Sequence, residues 1–537
     1  MWLKRAQVTN FRSLRDVTLG FSPGVNAFIG ENGTGKSNLT KALLKLLGPT
    51  YPGGRSFGVD DHYLRDPSNE IGIRLTFDDA GRDRELSWGS SSGQGARLLL
   101  DGRGIKDADR LQFCPIHFPA DREVSENPGQ NTWNPFGRIL SELGEMVKSK
   151  PGFSEGFQTR VSDLNSYLDA AREYAAFKQA LSRYSRDHLG ARGDSIRVEL
   201  GLVDPEQVLR TLRVFETTST AQYNVANGGQ GVQSSVTMAA LRAFAEVCGG
   251  RLFIVADEPE AYLHPLAQRA LCSVFEKLAQ TGTQVILTTH SPHFISVSEL
   301  TGLHKVWMKD GATNVLPFDV ARIVEQQSAR GVTPEPKEGI LARLSRAMTL
   351  ESGEGLFARL VVLCEGETES MSLPQWAAGL GHDLARDGVA VVHAGGKFSM
   401  IRLAEFYHSL DIPIFLVFDS DSTERDAAKR TEHARHNRWL LTKAGDMPVD
   451  FPATSLGQSH AVFDPNFEEV LRGEQDYTAV ERTVDSDLGL RPDSSKGIRA
   501  RFVALNFMDR SLPAPTPILK LVEAIVARRA AVAPAAS

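Results

Sequence analysis

The chain has 537 residues, 41% hydrophobic and 23% charged, with a formal net charge of −6. That length exceeds what one ordinary core can hold, so several domains are expected, and the balance of apolar and charged residues excludes a disordered or fibrous polymer. The small net charge selects no partner. A local basic excess from Arg491 to Ala530, eight Lys/Arg against three acids, could meet phosphates or form a solvated face.

The amino-terminal MWLKRAQVTNF has no apolar core of the kind that marks a signal peptide. No window reaches the roughly 18 uninterrupted apolar residues of a spanning helix. The four cysteines, Cys114, Cys248, Cys272 and Cys364, form no CxxC pair and read as free thiols of a reducing compartment. The expectation is a cytoplasmic protein with no membrane partner.

Residues 2 to 29 read as two short strands closing on a third, VNAFIG, which runs into a glycine-rich turn. The helix SNLTKALLKLLG follows, with leucines at helical spacing and Gly48 at its end. Residues 70 to 118 alternate strand-like runs with Gly/Asp turns, as in an antiparallel layer. From 138 to 190 an amphipathic, charge-mixed pattern predicts a helical insert or dimer arm. From 236 to 290 the order is helix, strand, helix, strand. The polar, Pro/Gly-bearing QQSARGVTPEPKEG marks a linker, and a second α/β run occupies 360 to 419. The expected division is 1–325, a linker over 326–358, a second domain over 359–526 and a disordered tail over 527–537.

Gly30-Glu31-Asn32-Gly33-Thr34-Gly35-Lys36-Ser37 matches GxxxxGK[ST] in full. Such a loop turns backbone N–H groups onto phosphate oxygens, with Lys36 toward the β/γ-phosphates and the Ser37 hydroxyl toward Mg²⁺. Far downstream, the buried-strand pattern LFIVADE ends in Asp257 and Glu258. Asp257 would hold Mg²⁺ through Ser37 and water, and Glu258 would polarise an attacking water. The strand QVILTTH ends in His290, where a γ-phosphate sensor would sit. Between them, Asn227 to Ser234 is a glycine-rich turn opening a helix. This order resembles the ABC-type ATPases of the SMC class. Gln230, Gly231 and Gln233 occupy the signature position, although QGVQ departs from SGGQ. The resemblance implies ATP as cofactor and a homodimer or higher homo-oligomer, with the signature of one subunit completing the site of the other. The stretch Phe118-Pro119-Ala120-Asp121-Arg122 resembles a segment of one subgroup of these ATPases.

The run LVVLCEGETE raises a second question. Five apolar residues read as a strand buried on both faces, yet Glu365, Glu367 and Glu369 crowd its end. Acids at a helix start suit the macrodipole; acids at the carboxyl end of a parallel sheet also suit a divalent cation. About fifty residues on, PIFLVFDSDS places Asp419 and Asp421 at another strand end, and alternation on an extended segment would aim both at one cation. The pair resembles the Toprim fold of topoisomerases, bacterial primases and some nucleases. Proposed ligands for Mg²⁺ (or Mn²⁺) are Glu365, Glu369, Asp419 and Asp421. Glu468 and Glu469 fit either further ligands or a capped helix start, and Lys496 fits either a contact to the scissile phosphate or a solvated lysine.

An ABC-type ATPase followed by a Toprim domain resembles the OLD (overcoming lysogenization defect) family, which includes the ATPase–nuclease subunit of Gabija-type anti-phage systems. The resemblance implies an α/β protein and a metal-dependent endonuclease on double-stranded DNA, with ATP regulating cleavage. It also implies a role in phage defence beside a helicase or other defence subunit. The alternative is a DNA-binding ATPase of recombination or repair whose Toprim domain does not cut.

Overall fold

In the computed structural model the first strands follow directly from alternation. β1 (Trp2–Phe11) and β2 (Leu14–Gly20) send Ala6 and Val8, Val17 and Leu19 inward, as period two requires, and Leu3 is buried across a register shift between Leu3 and Arg5. β3 (Val25–Ile29) is buried throughout and leads into the glycine turn. β4 (Gly72–Asp79), β5 (Arg82–Ser91), β6 (Gln94–Leu100) and β7 (Arg103–Gly104) complete a sheet of order β2-β1-β4-β5-β6-β7, antiparallel throughout. Residues 1–120, 135–189, 222–248 and 252–532 are described, apart from 49, 54–55, 92–93, 226–227, 296–299, 330–332, 334 and 492–494. Residues 192, 208–209, 212 and 214–217 are described as well.

Two compact bodies divide the chain: Met1–Leu46, Thr50–Asp107 and Ile286–Ser537 form one, Leu47–Pro49 and Ala108–Val285 the other. The second body holds β8 (Ile116–Phe118), β9 (Phe215–Thr217), β10 (Gln222–Asn224) and β11 (Phe253–Asp257). β8 and β11 pair in parallel. The helices Pro135–Lys148, Phe153–Asp169 and Arg172–Leu189 cover the segment expected to be a helical insert.

In the first body the end of β12 (Gln284–Thr288), β13 (Leu303–Lys309) and β14 (Ala312–Pro317) extend the layer around β3, in the order β14-β13-β3-β12. The segment expected to be a linker is instead mostly helical. It carries the end of Val320–Ala329, then Lys337–Ala347 and Leu350–Glu354. Ile340 and Leu344 are buried, and their spacing of four puts them on one helix face, a pattern short enough to be masked by the prolines before it. Tyr407 locks this segment down, donating its hydroxyl to the Ser352 carbonyl at 2.6 Å.

The carboxy-terminal sheet has β15 (Leu360–Cys364), β16 (Val389–His393), β17 (Ile414–Asp419), β18 (Ser455–Leu456) and β19 (His460–Phe463) in the order β16-β15-β17-β19-β18. All neighbours run parallel except the β18–β19 pair. β15 is wholly buried, as an apolar run without alternation predicts. Over it the helices Glu367–Gly379 and Lys496–Asp509 pack closely, because a Cβ at Gly497 would stand 2.6 Å from Met371 Sδ and one at Gly379 2.5 Å from Met508 Sδ. The final helix, Thr516–Val532, is anchored by Ile518, Leu521, Val522 and Ile525. Of the tail expected to be disordered, 527–532 is therefore helical, and 533–537 lies outside the described residues.

Candidate active site

The glycine turn after β3 is shaped by contacts no side chain would tolerate. A Cβ at Gly30 would lie 2.1 Å from the Val306 carbonyl oxygen, and one at Gly35 2.0 Å from Thr313 Oγ1. The loop is braced from outside by Thr313, whose hydroxyl donates to the Thr34 carbonyl at 2.9 Å. Asn32 and Gly33 are exposed at the tip, whereas Lys36 is buried. Lys36 Nζ donates to the Gly30 and Glu31 carbonyls, each at 2.8 Å. Ser37 lies in the first turn of Lys36–Leu47, and the amino-terminal end of a helix favours an anion. His290 follows β12 in the same body; there the Thr289 N–H donates to the Phe28 carbonyl at 3.1 Å, beside the strand that feeds the turn.

In the second body Asp257 ends β11 and is buried, with His117 Nε2 3.3 Å from its Oδ2. Glu258 follows with φ +44°, a sharp departure from the strand. The helix Gln230–Cys248 begins within the glycine-rich stretch. Gln233 is buried with its Nε2 donating to the Gly228 carbonyl at 2.8 Å, and Gly231 adjoins the Tyr262 carbonyl. Asn227, Asp121 and Arg122 lie outside the described residues.

The carboxy-terminal sheet builds the second centre. From β15 the chain moves outward to β16, then returns to the other side as β17. Where strand order reverses in this way, loops diverge and leave a crevice at the carboxyl ends. Glu365 follows β15 and Asp419 ends β17, so both stand at that crevice. A cavity of about 840 Å³ opens there, lined by Glu365, Glu369, Asp419, Asp421, Glu468, Glu469 and Lys496 among others.

Backbone donors aim the carboxylates. The Asp419 N–H donates to Glu365 Oε2 at 3.1 Å, the Phe467 N–H to Asp419 Oδ1 at 2.9 Å, and the Gly366 N–H to Glu369 Oε2 at 3.1 Å. Glu369 thereby caps its own helix while buried at 3% exposure. The two readings of residues 468 and 469 divide between them. Asn466 caps the helix Phe467–Arg472, accepting from the Glu469 N–H at 2.9 Å, and Glu469 stays exposed. Glu468 turns inward, accepts from Thr368 Oγ1 at 2.8 Å and lies 3.7 Å from Lys496 Nζ. Lys496 itself is 66% exposed at the rim.

Asp421 does not continue the alternation expected of it. The strand stops at Asp419, and Asp421 takes φ +54°, a left-handed conformation that Asp tolerates better than most residues. Its carboxylate pairs with the Lys397 ammonium, and His433 Nδ1 lies 2.9 Å from its Oδ2. Lys397 Nζ is also 3.9 Å from Glu365 Oε2, and the lysine is 4% exposed. Neither Lys397 nor His433 was singled out by sequence reasoning. The turn His393-Ala394-Gly395-Gly396-Lys397 was the available signal: two positive-φ glycines deliver the lysine to the first turn of Lys397–Ser409.

The carboxylates repel one another in a poorly solvated site. Burial, then the charges of Asp421 and Glu468, push Glu365 from 4.5 up to about 7, against the pull of Lys397. Asp419 is raised by burial and then by Glu369, Glu365 and Glu468; Glu369 is raised by burial and then by Glu468 and Glu365. Among the described residues no three such donors converge on one point. Hard oxygen donors that outnumber the one buried lysine beside them nevertheless fit a cation such as Mg²⁺, which binds through one or two carboxylates and keeps several waters.

The model of an AAA domain, described as putative AbiEii toxin, Type IV TA system, matches residues 25–296, just over half of the chain. The chain belongs to this AAA-domain family. A second model, the TOPRIM domain of overcoming lysogenization defect protein-like sequences, matches 356–421. The chain resembles the OLD nuclease of Thermus scotoductus, 25% identical over 531 residues, covering 92% of this chain and 97% of that one. It also resembles the Old nuclease of Escherichia phage P2, 25% identical over 470 residues, covering 78% and 77%. This member of the AAA-domain family thus joins a P-loop ATPase to an OLD-like TOPRIM domain in one α/β chain. Among its described residues no helix is long and apolar enough to cross a membrane.

Proposed function

We propose that the chain is an ATP-regulated, divalent-metal-dependent DNA endonuclease, and that the acidic cavity at the ends of β15 and β17 is where it cuts. One observation carries this reading: buried and half-buried carboxylates from separate segments share a cavity of about 840 Å³ at the switch point of a parallel sheet. Glu365, Asp419 and Glu369 would hold the cation, with Glu468 beside them. When bound, such a cation activates a water and stabilises the departing oxygen of a phosphodiester.

The chain's own residues do the rest. Glu365, pushed up to about 7 by burial, would regain its charge on holding the cation, which favours the ionised carboxylate. Lys397 neutralises Asp421 and holds it against His433. Lys496 on the rim reaches solvent, where a DNA phosphate would arrive. Lys36, Ser37, Asp257, Glu258 and His290 serve the nucleotide, and Gln230, Gly231 and Gln233 would complete the site of a second copy in a homodimer or larger homo-oligomer. Phage defence beside a helicase or other defence subunit, and an ATPase domain over 1–325 followed by a Toprim domain from 359, belong to the same proposal.

Plasmid nicking by purified protein with Mg²⁺ or Mn²⁺, with and without ATP, tests it. The wild type should cut and Glu365→Ala should not, while both still bind ATP. Equal cutting by the two proteins would remove the acidic cavity as the active site.

A further inference from the structure

A second cavity in the same body, of about 610 Å³, has the opposite electrostatic character. Its lining includes Arg343, Arg402, Arg435 and Arg438 against Glu335 and Glu405, a basic excess that remains after Arg438 pairs with Asp450 outside the lining. Arg402 is the unusual member. It is 7% exposed, its Nη2 pairs with Glu335, and its Nε and Nη1 are buried without a hydrogen-bond partner among the described residues. Glu335 is shared, because its other oxygen lies 2.9 Å from Arg343 Nη1. A buried guanidinium with two unused donors is costly to leave so, and its planar fork matches the oxygens of a phosphate.

The aromatic lining narrows the occupant. The Arg402 guanidinium sits 4.9 Å over the Phe398 ring, which is itself 50% exposed, and Trp439 forms another part of the wall. Phosphate-binding donors next to exposed aromatic surface, in a cavity within the roughly 300–1,000 Å³ range of small-molecule sites, suit a group carrying both a phosphate and a flat ring.

We infer that this cavity is a binding site for a phosphate-bearing ligand of about mononucleotide size, held through Arg402 and Arg435 and separate from the P-loop. Its walls come from the helices Lys397–Ser409 and Ala427–Lys443. These same helices carry Lys397 and His433 to Asp421, so an occupant bears on the groups that hold the acidic site. The inference does not require that site to cleave anything.

Binding is measured directly, by calorimetry on the full chain carrying Lys36→Ala to suppress the P-loop. The probes are AMP, inorganic phosphate and a short DNA duplex. AMP should bind saturably, more tightly than phosphate, and Arg402→Gln should weaken it at least about tenfold. Arg435→Gln, on an exposed side chain, should weaken it several-fold with folding intact, and decides the matter where Arg402→Gln fails to fold. Duplex binding weakened by the same substitutions, without binding of AMP or phosphate, would assign the phosphate to a DNA backbone. No binding of any probe, or binding indifferent to Arg402→Gln and Arg435→Gln, overturns the inference.

Discussion

The glycine turn after β3 and the acidic crevice after β15 stand at equivalent places, each at the carboxyl end of a buried strand, and each holds a buried lysine. What the lysine touches differs. Lys36 donates to two neutral carbonyls, bonds a phosphate can replace with charge-assisted ones. Lys397 pairs with the Asp421 carboxylate and lies near Glu365, so it supplies part of the positive charge that the acids need. In the proposed function one lysine prepares a site for an anion, and the other partly neutralises a site for a cation. The same residue type at the same kind of strand end thus serves ligands of opposite sign, and the neighbouring oxygens decide which.

The largest expected effect tests the cationic side. Asp419→Ala, measured by plasmid nicking at saturating Mn²⁺, should lower cleavage on the order of 10²–10⁴-fold, with ATP binding unchanged. Lys397→Met should come next, with cleavage down roughly 10²-fold. Removing one partner of a buried pair also destabilises by about 3–5 kcal/mol, so thermal unfolding of this variant should shift downward. Near-normal cleavage by Lys397→Met would make the lysine a packing residue and break the comparison. On the anionic side, Lys36→Ala should weaken ATP about 10–100-fold, read by equilibrium binding. Cleavage without ATP should then match the wild type, and the response of cleavage to ATP should vanish.

The sign of the electrostatics can be read from stability against pH. Glu365 binds its proton more tightly in the folded chain, about 7 against an ordinary 4.5. The folded state therefore carries more protons between those values, and its stability falls as pH rises through that window. In the presence of a chelator, Glu365→Gln should unfold at a higher temperature than wild type at about pH 8, by at most roughly 3 kcal/mol in stability. The two should converge near pH 4. A wild type that is the more stable at high pH without metal would show that the crevice is better neutralised than Lys397 and backbone donors imply.

The smallest effect concerns a link between the two sites. Arg359, just before β15, meets Glu31 of the glycine turn through two bonds of 2.6 and 2.9 Å. Both side chains are about half exposed, at 52% and 41%, so Arg359→Gln should cost no more than about 1 kcal/mol. A much larger loss in chemical denaturation would mark this contact as a structural hinge between the two regions.

The sequence by itself determined what local chemistry controls. Close backbone approach and phosphate binding dictate GxxxxGK[ST], so the P-loop was legible without any partner. An apolar run without alternation dictates a covered strand, so β15 and β17 and the acids at their ends were legible too. Tertiary structure decided what depends on residues distant in the chain. Only the parallel order β16-β15-β17 shows that Glu365 and Asp419 share a switch-point crevice. The left-handed turn at Asp421 cannot be seen in an Asp-x-Asp pattern, and it is what turns that carboxylate to Lys397 and His433. Asn466 capping sends Glu468 inward and leaves Glu469 outside, although the two are identical in type and adjacent. The helices of 326–358 were hidden because their few buried positions gain meaning only against the surfaces they cover. Burial and long-range pairing are properties of the assembled chain, and no short window of residues contains them.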